Sequence, residues 1–121
     1  MKPQTLRTAA LALAASLSGL AAAAQDADNG EAVFQRMCAP CHAAGAGDDG
    51  RTMLPGTAAL QIKYQGSIPA VLEQRSDLTP EVLAVFLRNG SMSMPSFRKT
   101  ELSDSEIADI AAYIAETSPT D

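Results

Sequence analysis

The sequence predicts a small all-α domain. Three observations carry that expectation. Apolar residues in the second half recur at helical spacing. Helix-start signals stand directly ahead of those runs. Almost no stretch alternates in the way a strand would. The 121 residues leave room for one domain, and part of the N-terminus is expected to lie outside it.

That first part is Met1–Ala24, which reads as an export signal. Lys2 and Arg7 supply a positive start, Ala9 to Leu20 an apolar middle, and Ala22-Ala23-Ala24 small residues for cleavage before Gln25. A membrane anchor is the alternative. The run is short and weakly apolar for a bilayer core of roughly 30 Å, which favours removal. No cysteine stands near the cleavage point to carry lipid. Residues 25–121 then form the domain, in an exported and hence periplasmic protein.

In the domain, Asp28 or Asn29 is expected to cap a helix running to about Met37. Val33, Phe34 and Met37 lie in its interior, and Glu31 sits in the first turn, where the helix dipole favours an acid. Gly30 thins that helix for another to cross closely. Ala43 to Gly56, rich in Gly, Asp and Pro, reads as a loop. A short helix is expected from Thr57 to about Gln65, stopping at Gly66, and Pro69 opens a helical turn through Leu72. Thr79-Pro80-Glu81 starts the next helix, with Val82, Val85 and Phe86 at helical spacing and Arg88-Asn89-Gly90 closing it. Ser103-Asp104-Ser105-Glu106 is a capping box. Ile107, Ile110, Ala111 and Ile114 follow on one face with Tyr113 beside them, the natural partner for the first helix at Gly30. The tail from Thr117 is expected to fray.

Charge sets limits on partners. Removing the signal leaves seven Lys and Arg against fourteen Asp and Glu, a net charge of −7. Such a surface argues against nucleic acid and for a partner with a basic face, although ordinary solubility asks for nothing different.

The chemistry concentrates in Cys38-Ala39-Pro40-Cys41-His42. Two thiols three positions apart can reach the two vinyl groups on one porphyrin edge. A histidine directly after them can turn its imidazole onto the iron, so the motif points to one covalently attached haem c. A disulfide, a zinc half-site and a thioredoxin-like dithiol are the alternatives. Zinc would want a further ligand, and His42 is the only histidine; the dithiol would want strands around the motif. With no Trp, three Phe and two Tyr, the domain has little bulk for a core of its own, and a buried haem would supply an apolar plate. The chain without haem is expected to fold poorly.

A lone histidine leaves the second axial position to another residue, with methionine the leading candidate. Met1 leaves with the signal, Met37 abuts the first cysteine and Met53 lies in the loop. Met92 and Met94 remain, both in Ser91-Met92-Ser93-Met94-Pro95-Ser96-Phe97, where proline breaks helix and an aromatic stands ready to exclude water.

On these residues the chain resembles the class I c-type cytochromes, from Gly30 and Phe34 through the haem motif and the Met-Pro-x-Phe segment to Tyr113. The resemblance implies a small cytochrome c fold, its N- and C-terminal helices crossing, and a one-electron carrier rather than an enzyme. It implies Cys38 and Cys41 as attachment points and His42 and Met94 as iron ligands, with Met92 the rival. It also implies that a proline carbonyl, here Pro55, holds the ligand imidazole, although Met53-Leu54-Pro55-Gly56 departs from the family's Gly-Pro-x-Leu-x-Gly. Tyr64, Arg51, Arg88 and Arg98 are candidate donors to the haem propionates. A narrower resemblance, from Leu54 to Phe97, is to the cytochrome subunits of periplasmic flavoprotein dehydrogenases such as 4-cresol dehydrogenase. It implies such a dehydrogenase as donor and a downstream oxidase or cytochrome as acceptor. The rival classes are a gas sensor or peroxidase-like enzyme with an open axial site, and a dithiol oxidoreductase without haem.

Overall fold

A computed structural model of the chain describes residues 24–119. The export signal proposed for Met1–Ala24 lies outside the described residues apart from Ala24. Among the described residues the architecture is all-helical: α1 (Ala27–Met37), α2 (Ala39–His42), α3 (Pro55–Tyr64), a 3-10 turn over Leu72–Gln74, α4 (Pro80–Asn89) and α5 (Asp104–Thr117).

The first helix starts two residues before the expected caps. Asp26 is its cap, accepting a bond from the Asn29 N–H at 3.0 Å, and Asp28 takes the acidic place in the first turn. Its far end is at Met37, as the pattern predicts. The helix crosses α5 at Gly30, whose imagined Cβ would lie 2.0 Å from the Asp109 carbonyl oxygen. Only a residue without a side chain admits that approach. Asp109 fastens the same crossing from α5, accepting from the Asp26 N–H and from the Asn29 side chain, each at 2.8 Å.

Around this crossing lies the core. Val33 and Phe34 from α1 meet Ile107, Ile110, Ala111, Tyr113 and Ile114 from α5, with Leu83 and Leu87 of α4 and Leu102 closing the sides. Phe34 and Tyr113 stack at 5.3 Å between ring centres, tilted by 48°. The capping box of α5 forms in full: the Ser103 side chain accepts from the Glu106 N–H, and Glu106 accepts from the Ser103 N–H. That helix continues in regular form to Thr117, where fraying was expected to begin. The Thr117 hydroxyl donates to the carbonyls of Tyr113 and Ile114.

Three readings need correction. In α4 the buried side chains are Leu83 and Leu87, while Val85 and Phe86 are exposed. The helix is apolar nearly all round, so spacing alone could not tell which face meets α5. Further back, α3 begins at Pro55 rather than Thr57, because proline at the first helical position fits the helix before any apolar period begins. The turn expected from Pro69 to Leu72 forms three residues later, at Leu72–Gln74.

Candidate cofactor site

The five-residue motif straddles the sharp junction of α1 and α2. Cys38 ends the first helix, its N–H donating to the Phe34 carbonyl at 2.8 Å, and it also opens the second. Pro40 suits the first turn of α2, where its missing N–H costs nothing. This one tight turn carries Cys38, Cys41 and His42. Both cysteines are free thiols, Cys41 exposed and Cys38 half-buried.

Cys38 is not built as a dithiol nucleophile. Burial, together with neighbouring Cys41, pushes its thiol up to about 11. An attacking cysteine of a thiol oxidoreductase has its pKa lowered instead. Zinc fits no better, because among the described residues no three His, Cys, Asp or Glu side chains converge on one point. A disulfide is not formed between the two thiols.

His42 carries the clearest mark of a missing partner. Burial lowers its pKa and so favours the neutral imidazole, the form that binds iron. Its Nδ1 is buried without a hydrogen-bond partner. The ring lies against Gly56, where a Cβ would come within 2.6 Å of Cε1 and 2.8 Å of Nδ1. Thr57, the one buried residue of α3, donates its hydroxyl to the Ala43 carbonyl at 3.0 Å and so ties α3 to the end of the motif. The acceptor expected at Pro55 is not engaged: Pro55 is the first residue of α3, and Nδ1 meets no carbonyl. Next to the motif a cavity of about 490 Å³ opens between Ala44, Met53, Thr57, Gln61, Ile68 and Val71.

The two methionines part company on the backbone. Ser91 and Met94 pair through two backbone bonds, Ser91 N–H to the Met94 carbonyl at 3.1 Å and Met94 N–H to the Ser91 carbonyl at 2.9 Å. This makes a tight turn with Met92 at its tip. Met92 adopts φ 54, in the left-handed region, and its side chain is fully exposed. Met94 is half-buried and packs against the core.

A covalent haem fits these residues: two free thiols on one turn, a half-buried imidazole in a cradle that a side chain would fill, and a methionine turned towards the core. The chain matches the family described as cytochrome c oxidase, cbb3-type, subunit III, over residues 25–114. It belongs to the cytochrome c family. It is 35% identical to cytochrome c-552 of Bradyrhizobium diazoefficiens over 116 residues, covering 94% of this chain and 96% of that protein. It is 37% identical to cytochrome c6 of Picosynechococcus sp. over 98 residues, covering 81% of this chain and 79% of that one. Among solved structures it aligns with cytochrome c6 of the diatom Phaeodactylum tricornutum at 29% identity and a TM-score of 0.45, covering 76% and 93% of the two chains. The protein is therefore a monohaem class I cytochrome c, an electron carrier and not an enzyme, with covalently bound haem c and its iron as cofactor.

Each arginine expected at this cytochrome's propionates pairs with an acid. Arg51 pairs with Asp49 at 3.0 Å, Arg98 with Glu101 at 3.1 Å, and Arg88 with Asp104 at 2.7 Å. Sequence reasoning missed Arg75, only 6% exposed. Its guanidinium forks onto Asp77 with contacts of 2.6 and 2.5 Å, and lies 5.2 Å from the centre of the Tyr64 ring. An arginine and an aspartate two positions apart were visible, but nothing local signals that the arginine is buried. Two further contacts were equally unmarked. Gly56 cradles the imidazole, and the Tyr113 hydroxyl donates to Glu73 at 2.6 Å, fixing the 3-10 turn to α5.

Proposed function

We propose that Cys38 and Cys41 hold the haem by thioether bonds, that His42 and Met94 ligate the iron, and that the protein ferries electrons in the periplasm. The haem supplies reversible one-electron chemistry between ferrous and ferric iron. The chain's residues do the rest. His42 is held neutral by burial, Met94 is directed inwards by the Ser91–Met94 turn, and the core residues keep water from that side. With two protein ligands no position is left for oxygen or peroxide, which separates this reading from a gas sensor or peroxidase-like enzyme.

The observation that carries the reading is the His42 imidazole, half-buried and cradled at Gly56, directly after two free thiols on the same tight turn. The contrast between a half-buried Met94 and a fully exposed Met92 favours Met94 as the sulfur ligand. Export is supported by the charged and apolar pattern of Met1–Ala24 and by a family match that starts at Gln25. Among the described residues no helix is long and apolar enough to cross a membrane. The acidic surface suits a donor with a basic face, and a periplasmic flavoprotein dehydrogenase of the 4-cresol dehydrogenase kind fits the narrower resemblance. A downstream oxidase or cytochrome takes the electron on.

The test is the visible spectrum of ferric protein made in cells competent for haem attachment. Met94→Ala loses the weak far-red band that a methionine sulfur gives to ferric haem, while Met92→Ala keeps it. A Met94→Ala spectrum identical to the wild type would overturn the ligand assignment. Electron transfer from a reconstituted flavoprotein dehydrogenase slows as salt rises, and equal rates at low and high ionic strength would refute the charged docking surface.

A further inference from the structure

We infer that Arg88 is a positioning residue for the Met94 ligand, bracing the loop so that the sulfur stays on the iron. The inference rests on Met94 being the ligand, and it goes beyond that reading by naming what holds the ligand there.

The loop from Ser91 to Phe97 leaves the last turn of α4 and leads towards α5. At its start, Gly90 has φ 71, and a Cβ on it would lie 2.8 Å from the Met94 carbonyl oxygen, so the loop backbone folds tightly onto the helix end. At its end, Phe97 is pinned on both of its peptide groups. Its N–H donates to the Leu87 carbonyl at 2.7 Å, and its carbonyl accepts from Arg88 Nη1 at 3.0 Å. The other arm of the same guanidinium, Nη2, donates to Asp104 Oδ1 at 2.7 Å, and Asp104 Oδ2 accepts from Lys99 Nζ at 2.6 Å. One side chain therefore joins the end of α4, the exit of the Met94 loop and the first turn of α5. Asp104 is well placed to receive it, since the dipole of α5 favours an acid there.

Met94 stands three residues from this anchor, with its backbone held by the Ser91 turn and its side chain packed against the core. If Met94 ligates the iron, release of its sulfur would need the loop to move, and the Arg88 fork would resist that motion at the Phe97 end of the loop. A planar guanidinium can bridge two acceptors at once, which an ammonium cannot do in the same geometry. The Leu87–Phe97 bond survives removal of Arg88, so the loop loosens rather than unfolds. The Arg88 head group is mostly covered while Asp104 is largely exposed, so the effect belongs at the lower end for charged hydrogen bonds, about tenfold in loop opening.

The experiment uses ferric holoprotein and free imidazole as the competing ligand, at concentrations where the rate levels off and loop opening limits displacement of methionine. Arg88→Ala exchanges about tenfold faster than wild type. Arg88→Lys restores part of the slow rate, and Asp104→Asn, which leaves the Phe97 arm in place, has a smaller effect than Arg88→Ala. Arg36→Ala, which removes only a loose surface pair with Glu106, exchanges at the wild-type rate. Ile107→Val loosens the core without touching the Arg88 fork, lowering the urea midpoint while leaving the exchange rate alone. Should Arg88→Ala prove too unstable to purify, Arg88→Lys and Asp104→Asn decide the matter by the same rate. Exchange within twofold of wild type in the Arg88 and Asp104 variants, with the methionine band intact, overturns this inference alone. Equal acceleration by Ile107→Val overturns it as well, since the effect would then be general loosening. A wild-type spectrum without the methionine band overturns the ligand assignment and this inference with it.

Discussion

Replacing Gly30 with alanine should destabilise the protein, although alanine is the better helix former. In an exposed helix the change would gain roughly 0.5–1 kcal/mol. Here the new Cβ would stand 2.0 Å from the Asp109 carbonyl oxygen, 2.4 Å from its carbon and 3.0 Å from the Ile110 nitrogen. All three are backbone atoms of α5, so no side chain can turn aside to make room. Relief needs the helices to part by about 1 Å, since real Cβ atoms essentially never come within 3.0 Å of a neighbour. A gap of that size forfeits a quarter to a half of the dispersion attraction across the crossing, which Val33, Phe34, Ile107, Ile110 and Ile114 share. It also strains the Asp26 and Asn29 bonds to Asp109. Overpacking of this kind costs about 1–3 kcal/mol, and a backbone clash belongs at the upper end, leaving a net loss of about 2 kcal/mol after the propensity gain. For a domain of this size that lowers Tm by roughly 10 °C. Thermal unfolding of the holoprotein followed by far-UV circular dichroism measures it. A Tm equal to or above the wild type would mean that the helices do not meet at Gly30.

Further outcomes follow from other contacts. Tyr113 keeps its proton to about pH 12, first through burial and then through the adjacent Glu73. An unfolded phenol ionises near pH 10, so above that pH the folded state binds more protons and stability falls as pH rises towards 12. Tyr113→Phe should lack that part of the decline in an unfolding midpoint measured across the window, and identical slopes would refute the assignment. Gly56→Ala pushes a methyl into the His42 ring and should lower the yield of haem-loaded protein and shift the reduction potential, read by redox titration; an unchanged potential and yield would show the cradle to be slack. The Cys38→Ala, Cys41→Ala double variant, made without haem, should lose amide protection in residues 43–79 before the α1–α5 crossing does, and uniform protection at wild-type level would contradict it.

What could be read from the sequence was whatever a few adjacent residues determine. The caps at Thr79 and Ser103, the apolar face of α5 and the narrow place at Gly30 were legible because each depends on neighbours within one or two turns. The haem motif was legible for the same reason, its three reactive side chains lying within five consecutive residues. The buried face of α4 was not, because Val82 to Leu87 is apolar in every direction and only α5 decides between Leu83 and Val85. Arg75 was missed because its burial comes from packing over Tyr64, and no local signal records that. The choice of Met94 over Met92 leaned on the resemblance and on the proline that follows Met94. The backbone adds a physical ground, since the turn that sends Met92 into solvent sends Met94 inwards.

The distribution of buried side chains argues for how cofactor and fold depend on each other. Nearly all of the core comes from α1, α4, α5 and Leu102. Between Ala43 and Thr79 the buried residues are Thr57, Ala70 and Arg75, one small polar, one small apolar and one charged. Fully burying a large apolar side chain contributes about 1.5–3 kcal/mol, and this stretch has no such side chain fully buried. Yet it is the stretch that cradles His42 and borders the cavity. Ile62 of α3 and Val85 and Phe86 of α4 stay exposed, apolar surface that the protein alone leaves uncovered. A flat apolar group gripped by Cys38, Cys41 and His42 would give the weak half of the domain what the strong half draws from α5. The helix crossing would then serve as the fixed frame, and a haem held at the motif would supply the core that residues 43–79 lack.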